Sequence, residues 1–321
     1  MTRILLTGGA GFIGANFVRL LRVWRPDWRI VNLDALTYAG SRDFLPDEGD
    51  AGHTFVHGDI RDAALVDRLI GDVDVVVHMA AESHVDRSID GPARFVETNV
   101  LGTQVLLEAA RRHGVGRFVH VSTDEVYGAL GPTGAFTEAS PIAPSSPYAA
   151  SKAASDLLAL AYAHTWGIDV VVTRCSNNYG PRQHPEKLIP RMIACALAER
   201  PLPVYGDGSN VRDWIHVEDH CAGVLAALER GRAGRVYNFG ARSERSNLDI
   251  VHGLLERLGK PRSLVRFVGD RPGHDWRYAI DPRRAEEELG WHPAHAFEAG
   301  LDATVDWYLA HRAWWEPRAV D

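Results

Sequence analysis

Two short stretches of the chain carry side chains suited to proton transfer. Tyr148 and Lys152 stand four residues apart at the start of a helical run, Tyr148–His164, so both side chains leave the same face of the helix. A lysine cation beside a phenol stabilises the phenolate, which predicts that Tyr148 acts as a general base near neutral pH. Ser122–Glu125 follow an apolar strand that ends at Val121, and open parallel sheets place their ligands at that end of a strand. These positions predict a reaction centre.

A glycine-rich turn near the amino terminus predicts a dinucleotide site. The strand-like run Arg3–Thr7 leads into Gly8, Gly11 and Gly14, and an amphipathic helix follows. The glycines permit a tight turn, close approach of a pyrophosphate, and packing of the helix on the strand. Asp34 lies twenty residues after Gly14, at the end of the second predicted strand. A carboxylate there accepts hydrogen bonds from both ribose hydroxyls and repels a 2′-phosphate, which favours NAD over NADP.

Strand-like and helix-like segments alternate through the first half of the chain. Further strands are predicted at 29–33, 54–57, 74–79, 117–121 and 169–174, and helices at 63–70 and 92–113. This alternation is typical of an α/β fold, a Rossmann-type doubly wound parallel sheet. After Pro181 the pattern loosens, which predicts a smaller, mostly C-terminal α/β substrate domain. We expect the NAD-binding domain to span 1–180, with later segments at about 209–245 returning to it, and the second domain to span 181–321.

Composition and charge exclude several classes of function. The 321 residues are 45% hydrophobic and 24% charged, as in ordinary globular proteins, and the formal net charge is −7. The sequence has neither a block of basic residues nor a patch in which basic and aromatic residues alternate, so no nucleic-acid partner is expected. Strand-like residues begin at Ile4, which leaves no room for a secretory leader, and the apolar runs are shorter than a membrane span. We therefore expect a cytoplasmic protein without membrane contact.

Cysteines and histidines predict no metal centre, whereas three arginines are placed where an anion could bind. The three cysteines lack metal-ligand spacing and a CxxC pair, so structural thiols are expected. The 15 histidines include no HExxH pattern. Arg212, Arg271 and Arg277 lie beside Gly, Pro or Asp in predicted loops or strand ends. In an acidic protein, such arginines could clamp a diphosphate through paired hydrogen bonds.

The motifs together resemble those of the extended short-chain dehydrogenase/reductase family of nucleotide-sugar enzymes. The family-wide motifs are Thr7–Gly14, Tyr148 with Lys152, and Arg212–Val217. Within this family, the segments that resemble the dTDP-glucose 4,6-dehydratases are Asp34–Gly40, Ala80–Ser88, Ser122–Gly128 and Asp270–Tyr278. The resemblance runs from about Met1 to Tyr308. Its most discriminating feature is the acid pair Asp124–Glu125, because related epimerases are similar elsewhere but lack it.

The resemblance implies a reaction with tightly bound NAD and dTDP-glucose. Tyr148 takes the proton of the sugar 4-hydroxyl while hydride passes from C4 to NAD⁺; Thr123 holds that hydroxyl, and Lys152 lowers the phenol pKa. Glu125 then removes the C5 proton and protonated Asp124 gives its proton to the departing C6 hydroxyl, after which hydride returns to C6 and Glu125 reprotonates C5. Repulsion between adjacent carboxyl groups raises one pKa and leaves an acid beside a base. The implied product is dTDP-4-keto-6-deoxyglucose.

The resemblance also implies which residues bind the two ligands. The implied cofactor residues are Gly8, Gly11, Phe12, Ile13, Gly14, Asp34, Leu36, Thr37, Asp59, Ile60, Ala80, Ala81, Ser83, Thr98, Val121, Tyr148, Lys152 and Asn177. The implied substrate residues are Ser83, Thr123, Asp124, Glu125, Tyr148, Asn177, Glu186, Lys187, Pro203, Tyr205, Arg212, Asn247, Arg271, His274 and Tyr278, with Pro203 and Tyr205 against the base. The chain departs from the family pattern at Ala35, where lysine is expected, and at Cys175, where threonine is also common.

Three alternatives stay open. UDP- or CDP-glucose could replace dTDP-glucose, because the contacts to the base are few. A nucleotide-sugar 4-epimerase would keep Tyr148 and Lys152 but leave the acid pair idle. A non-catalytic NAD-binding regulator of this fold would tend to lose the catalytic tyrosine. The resemblance further implies a homodimer in which helices near residues 92–113 and 146–166 form a four-helix bundle. The pathway served and the role of the tail Trp314–Asp321 stay open.

Overall fold

The structure is a computed structural model that describes residues 1–47 and 49–319; the last two residues of the predicted tail lie outside the described residues. Its strands are β1 (Arg3–Thr7), β2 (Arg29–Asp34), β3 (His53–His57), β4 (Val75–His78), β5 (Arg117–Thr123), β6 (Val170–Cys175), β7 (Asn177–Tyr179), β8 (Leu202–Tyr205), β9 (Val211–His216), β10 (Val236–Phe239), β11 (Glu244–Ser246) and β12 (Val265–Val268). Within the described residues, seven parallel strands form the main sheet in the order β10-β6-β5-β4-β1-β2-β3. The predicted doubly wound parallel sheet is therefore confirmed.

Helices connect most of these strands. They are α1 (Phe12–Trp24), α2 (Ala63–Ile70), α3 (Val85–Asp90), α4 (Ala93–Phe95), α5 (Thr103–His113), α6 (Pro147–Trp166), α7 (Leu188–Leu197), α8 (Val217–Arg230), α9 (Asn247–Arg257), α10 (Arg283–Leu289), α11 (Phe297–Ala310) and α12 (Arg312–Trp315). Among the helices of the described residues, none is both long and apolar enough to cross a membrane.

The main sheet is buried on both faces because successive residues of its strands point to opposite sides. In β1, Ile4 and Leu6 pack with α1 and α8, whereas Leu5 packs with α2, α5 and α6. Side chains of both layers are almost fully buried, so the carboxyl ends of the strands are held at fixed positions. Any residue that follows a strand at this edge is thereby positioned by the core beneath it.

The predicted helix at 92–113 is interrupted, which is a correction to the sequence-based expectation. Residues Val96–Gly102 form a π-helical segment between α4 and α5. Asn99, in this segment, donates from Nδ2 to the carbonyl of Glu82 at 3.0 Å and to Oγ of Ser151 at 2.8 Å, and its Oδ1 accepts from the Glu82 amide. The wider turn therefore ties the loop after β4 to α6. Such segments are frequent at functional sites.

A smaller assembly is built mostly from the second half of the chain. In the described residues, β11, β9 and β7 form one small sheet and β12 and β8 form another. Residues from α7, α9 and α11 pack with these strands in a separate hydrophobic core. In contrast, α8 packs on α1, and β10 is the edge strand of the main sheet beside β6. Residues 217–239 therefore belong with the main sheet. The division into domains at 180 stays a prediction.

Candidate active site

A cavity of about 520 Å³ runs from the glycine turn to the carboxyl ends of β5 and β6. The predicted cofactor residues that line it are Gly8, Gly11, Phe12, Ile13, Gly14, Asp34, Thr37, Asp59, Ile60, Ala80, Ala81, Ser83, Thr98, Val121, Tyr148, Lys152 and Asn177. The predicted substrate residues that line it are Ser83, Thr123, Asp124, Glu125, Tyr148, Asn177, Glu186 and Lys187. One cavity therefore brings most of both predicted sets together.

The glycine turn leaves no space for side chains. Gly8 has a φ of +75°, and a Cβ there would lie 2.6 Å from the backbone nitrogen of Ala80. A Cβ on Gly14 would lie 2.1 Å from the carbonyl oxygen of Gly8. Backbone amides at the start of α1 can therefore approach a bound group closely, and a helix amino terminus favours a negatively charged one.

Asp34 is held rigidly at the end of β2. Its carboxylate accepts hydrogen bonds from the amide of Ala10 at 2.9 Å and from the amide of Leu36 at 2.8 Å. Burial raises the pKa of Asp34, and these two bonds oppose that rise. Leu36 is not among the residues that line the cavity; its backbone, with a φ of +48°, orients Asp34 instead. A fixed carboxylate in this position can accept from the paired hydroxyls of a ribose.

Thr123 organises the acid pair at the end of β5. Its Oγ1 accepts a hydrogen bond from the Glu125 amide at 3.3 Å and caps a short 3₁₀ turn, Asp124–Tyr127. The same hydroxyl lies 3.4 Å from Oδ1 of Asp124, to which it donates. Oδ2 of Asp124 is buried without a hydrogen-bond partner within the described residues. This oxygen is free to exchange a proton with a ligand.

Asp124 and Glu125 differ in their surroundings. Burial raises the pKa of Asp124 well above its ordinary value, and the charges of Glu125 and Asp213 raise it further. Burial also raises the pKa of Glu125, but Arg271, Arg212 and Lys187 act against that rise. Asp124 therefore retains a proton more readily than Glu125, which is the asymmetry that an acid and a base side by side require.

Tyr148 and Lys152 come from the first two turns of α6, which is capped by Ser146. Lys152 donates from Nζ to the carbonyl of Val121 at 2.9 Å, and burial lowers its pKa to about 8. Burial raises the pKa of Tyr148 well above its ordinary value, and the charge of Glu125 adds to that rise. In the protein without ligands the pKa of Tyr148 is therefore raised overall, and the role of Lys152 in lowering it stays a prediction for the loaded site.

The remaining predicted substrate residues come from the second half of the chain and do not line the cavity. Arg212 lies with its guanidinium 4.3 Å from the centre of the Tyr278 ring. Arg271 pairs with Asp86 at 3.2 Å, and the Tyr205 hydroxyl donates to the same carboxylate at 3.1 Å. The further predicted residues outside the cavity lining are Pro203, Asn247 and His274. The charges of Arg271 and Arg212 nonetheless reach Glu125, as its pKa shows.

Arg277, considered above for a diphosphate, is not available for one. Its Nε and Nη2 donate to the carboxylate of Glu244, at 2.5 and 2.8 Å. The other donors reach the carbonyls of Gly131 and Gly134 at 3.1 and 2.9 Å. This arginine therefore fastens the loop after β5 to the smaller assembly, which does not favour the diphosphate role considered for it.

The chain matches known proteins over nearly its whole length. Residues 5–304 match the family model described as GDP-mannose 4,6 dehydratase. It is 55% identical to the dTDP-glucose 4,6-dehydratase of Xanthomonas campestris pv. campestris (strain B100), over 98% of this chain and 95% of that protein. It is 53% identical to the dTDP-glucose 4,6-dehydratase of Streptomyces niveus, over 98% and 95%. The chain belongs to the dTDP-glucose 4,6-dehydratase family.

Solved structures of dehydratases and epimerases share this fold. DesIV, a dTDP-glucose 4,6-dehydratase from Streptomyces venezuelae crystallised with NAD and TYD bound, superposes with a TM-score of 0.96 at 55% identity, covering 98% of this chain and 99% of that chain. A UDP-glucose 4-epimerase from Thermus thermophilus in complex with NAD has a TM-score of 0.90 at 32% identity, covering 97% and 100%. The fold alone therefore does not separate the dehydratase family from epimerases.

Sequence reasoning missed a cluster at the mouth of the cavity. The Tyr38 hydroxyl donates to Glu186 at 2.8 Å, and the guanidinium of Arg87 lies 3.6 Å from the centre of the Tyr38 ring. His84 approaches Glu186 at 3.7 Å. Tyr38, His84 and Arg87 all lie inside segments that resemble the dehydratase family, so that resemblance was the available signal. The cluster joins the loop after β2 to the segment before α7.

Proposed function

We propose that this protein is a hydro-lyase that converts dTDP-glucose to dTDP-4-keto-6-deoxyglucose with tightly bound NAD. The observation that carries this proposal is the buried pair Asp124–Glu125, which shares one cavity with Thr123, Tyr148 and Lys152. A 4-epimerase, which oxidises C4 and then reduces it with the opposite configuration, eliminates no water and needs no such pair. The family membership and the relatives named dTDP-glucose 4,6-dehydratase support the same activity.

The residues present fit NAD as the cofactor. The glycine turn leads into the amino terminus of α1, which favours a pyrophosphate, and the fixed carboxylate of Asp34 suits a ribose without a 2′-phosphate. When bound, NAD⁺ would supply a cationic nicotinamide ring and a reversible acceptor for the hydride that leaves C4 and later joins C6. Solved relatives with NAD bound support this choice.

Tyr148 is the proposed base for the 4-hydroxyl. Its high pKa in the ligand-free protein means that the phenol is protonated until positive charge approaches, since such charge favours the phenolate. Thr123 lines the same cavity as Tyr148 and would hold the substrate hydroxyl beside it. Lys152, fixed to the Val121 carbonyl, supplies part of that positive charge. Oxidation at C4 would therefore begin only in a loaded site.

Glu125 and Asp124 are proposed to carry out the elimination. The 4-ketone acidifies the C5 hydrogen, and Glu125, the more readily ionised of the two, takes that proton. The C6–O bond breaks as Asp124 gives its proton to the departing hydroxyl, which leaves as water. Glu125 then returns a proton to C5. One cycle thus leaves Asp124 one proton short and Tyr148 with the proton of the 4-hydroxyl, so that both groups are reset when Tyr148 releases a proton and Asp124 regains one through solvent.

The wall formed by β8, β9 and residues 270–278 is proposed to bind the nucleotide diphosphate. Arg212 and Arg271 can each hold a phosphate through paired hydrogen bonds, and both already act on the charge of Glu125. Tyr205 and Pro203 lie on β8, where an aromatic ring can stack on a pyrimidine. His274, Asn247 and Tyr278 complete the proposed set.

A homodimer is proposed from the outer helices. Leu101 in the π-helical segment and Leu157 and Trp166 in α6 are large apolar residues that are 50%, 56% and 52% exposed. Apolar side chains grouped on packed helices favour an interface, in line with the predicted four-helix bundle. Analytical ultracentrifugation that finds only monomers would contradict this. Location in the cytoplasm stays a prediction of the sequence.

The proposed reaction is tested by incubating the protein with dTDP-, UDP- or CDP-glucose in parallel and weighing the products by mass spectrometry. Loss of one water, fastest from dTDP-glucose, is expected. Faster loss from UDP- or CDP-glucose would keep the chemistry and overturn the choice of base. An isomer of unchanged mass that chromatography separates from the substrate would indicate a 4-epimerase, and no reaction with any sugar would leave the NAD-binding regulator.

A further inference from the structure

Two histidines and a glutamate converge outside the cavity lining, with His216 buried, His295 partly buried and Glu218 exposed. His216 ends β9, Glu218 lies in the first turn of α8, and His295 lies in the loop before α11. A nitrogen of each histidine and a carboxylate oxygen of Glu218 all lie within 4.8 Å of one another. The two rings stack with their centroids 4.1 Å apart, and Nε2 of His295 lies 3.6 Å from Oε2 of Glu218. This spacing is one at which the three groups could hold one metal ion.

His295 is oriented by a buried carboxylate. Asp219 accepts from Nδ1 of His295 at 2.8 Å through Oδ1, and from the backbone amide of His295 at 3.0 Å through Oδ2. A proton fixed on Nδ1 leaves the lone pair on Nε2, the atom that faces Glu218. Histidines that bind metals are commonly held in this way by a carboxylate behind them.

His216 stands at the junction of β9 and α8, where its Nδ1 accepts a hydrogen bond from the Glu218 amide at 3.4 Å. Its Nε2 is therefore the nitrogen left to bind a cation. Two imidazoles and one carboxylate, without thiolate, are a donor set that zinc accepts, with water in the fourth position.

We propose that His216, Glu218 and His295 form a zinc site, with Asp219 positioning His295. An ion there would join the start of α8, which packs against the main sheet, to the loop before α11 in the smaller assembly. Because the folded chain brings these ligands together, binding would stabilise it by mass action. Such a site would go against the sequence-based expectation of no metal centre, and the sequence gives no motif for it because His216 and His295 are far apart in the chain.

The test uses the full chain, first treated with a chelator and then titrated with Zn²⁺ by calorimetry and with Co²⁺ by visible absorption. One equivalent of saturable binding, tetrahedral Co²⁺ bands and a higher melting temperature with Zn²⁺ are expected. Glu218→Gln and His295→Gln should each weaken binding by about tenfold or more. Glu218 is exposed, so its variant should fold normally. His113→Gln is the matched control, because His113 contacts Asp67 at 2.9 Å on the surface, outside the proposed site.

Two results would overturn the proposal. One is the absence of saturable binding to the unmodified chain. The other is binding that does not depend on the proposed ligands: it persists in both Glu218→Gln and His295→Gln, or it is lost in His113→Gln. The ion would then be held by other surface groups. Melting curves recorded without metal show whether each variant is folded, so a loss of binding can be assigned to the ligand that was removed.

Discussion

Lys152→Met should change stability in a way that depends on pH. Burial lowers the pKa of Lys152 from 10.5 to about 8, so the folded state disfavours the charged lysine. At pH 7 the lysine is charged in both the folded and the unfolded chain, and the cost to folding is about 3 kcal/mol. As the pH rises through 8, the folded chain releases the proton, and the cost disappears near the unfolded pKa of 10.5.

The assay compares urea unfolding of nucleotide-free wild type and Lys152→Met at pH 7 and at about pH 9.5. The difference in the free energy of unfolding between variant and wild type should favour the variant by about 2 kcal/mol more at pH 7 than at the higher pH. The lost hydrogen bond to Val121 is the same at both pH values and cancels. Lys260→Met, on the surface beside Glu199, is the control. Equal differences in the free energy of unfolding at both pH values would refute the argument that Lys152 is a desolvated cation. Any loss of dehydration activity in the variant does not bear on this test.

Three further substitutions probe other parts of the site. Asp156 raises the pKa of Lys152, so Asp156→Asn should move the alkaline limb of the kcat–pH profile down by about one pH unit; an unmoved limb would show that Asp156 does not act on Lys152. Asp34→Ala should weaken NAD binding by about tenfold and narrow the preference for NAD over NADP in equilibrium titrations, whereas an unchanged preference would contradict the role given to this carboxylate. Arg271→Lys should raise KM for dTDP-glucose by about tenfold with kcat nearly unchanged, and a fall in kcat alone would place Arg271 in the chemical step.

The parts of the site that depend on local patterns were predictable from the sequence. The turn at Gly8–Gly14 and the carboxylate of Asp34 follow from a strand, a turn and a helix that adjoin in the chain, and the cavity contains both. Thr123, Asp124 and Glu125 follow one buried strand, so their place at the edge of the sheet could be predicted from the apolar run before them.

Features that depend on distant partners were not predictable. The π-helical turn around Asn99 depends on bonds to Glu82 and to α6. The pKa of Tyr148 depends on how deeply folding buries it, which the spacing to Lys152 does not reveal. Short strands such as Glu244–Ser246 carry too few residues for a periodic pattern. Arg318 pairs with Asp43 at 2.9 Å, across most of the sequence.

The central claim is that Glu125 exchanges the C5 proton during elimination, and the direct measurement is mass spectrometry of dTDP-glucose turned over in heavy water. Wild type should form a product that has lost one water and gained one deuterium at C5. Glu125→Gln should form none, whereas Glu97→Gln, an exposed glutamate that pairs with Arg61, should match wild type. A Glu125→Gln variant that still yields the deuterated product at the wild-type rate would contradict the account.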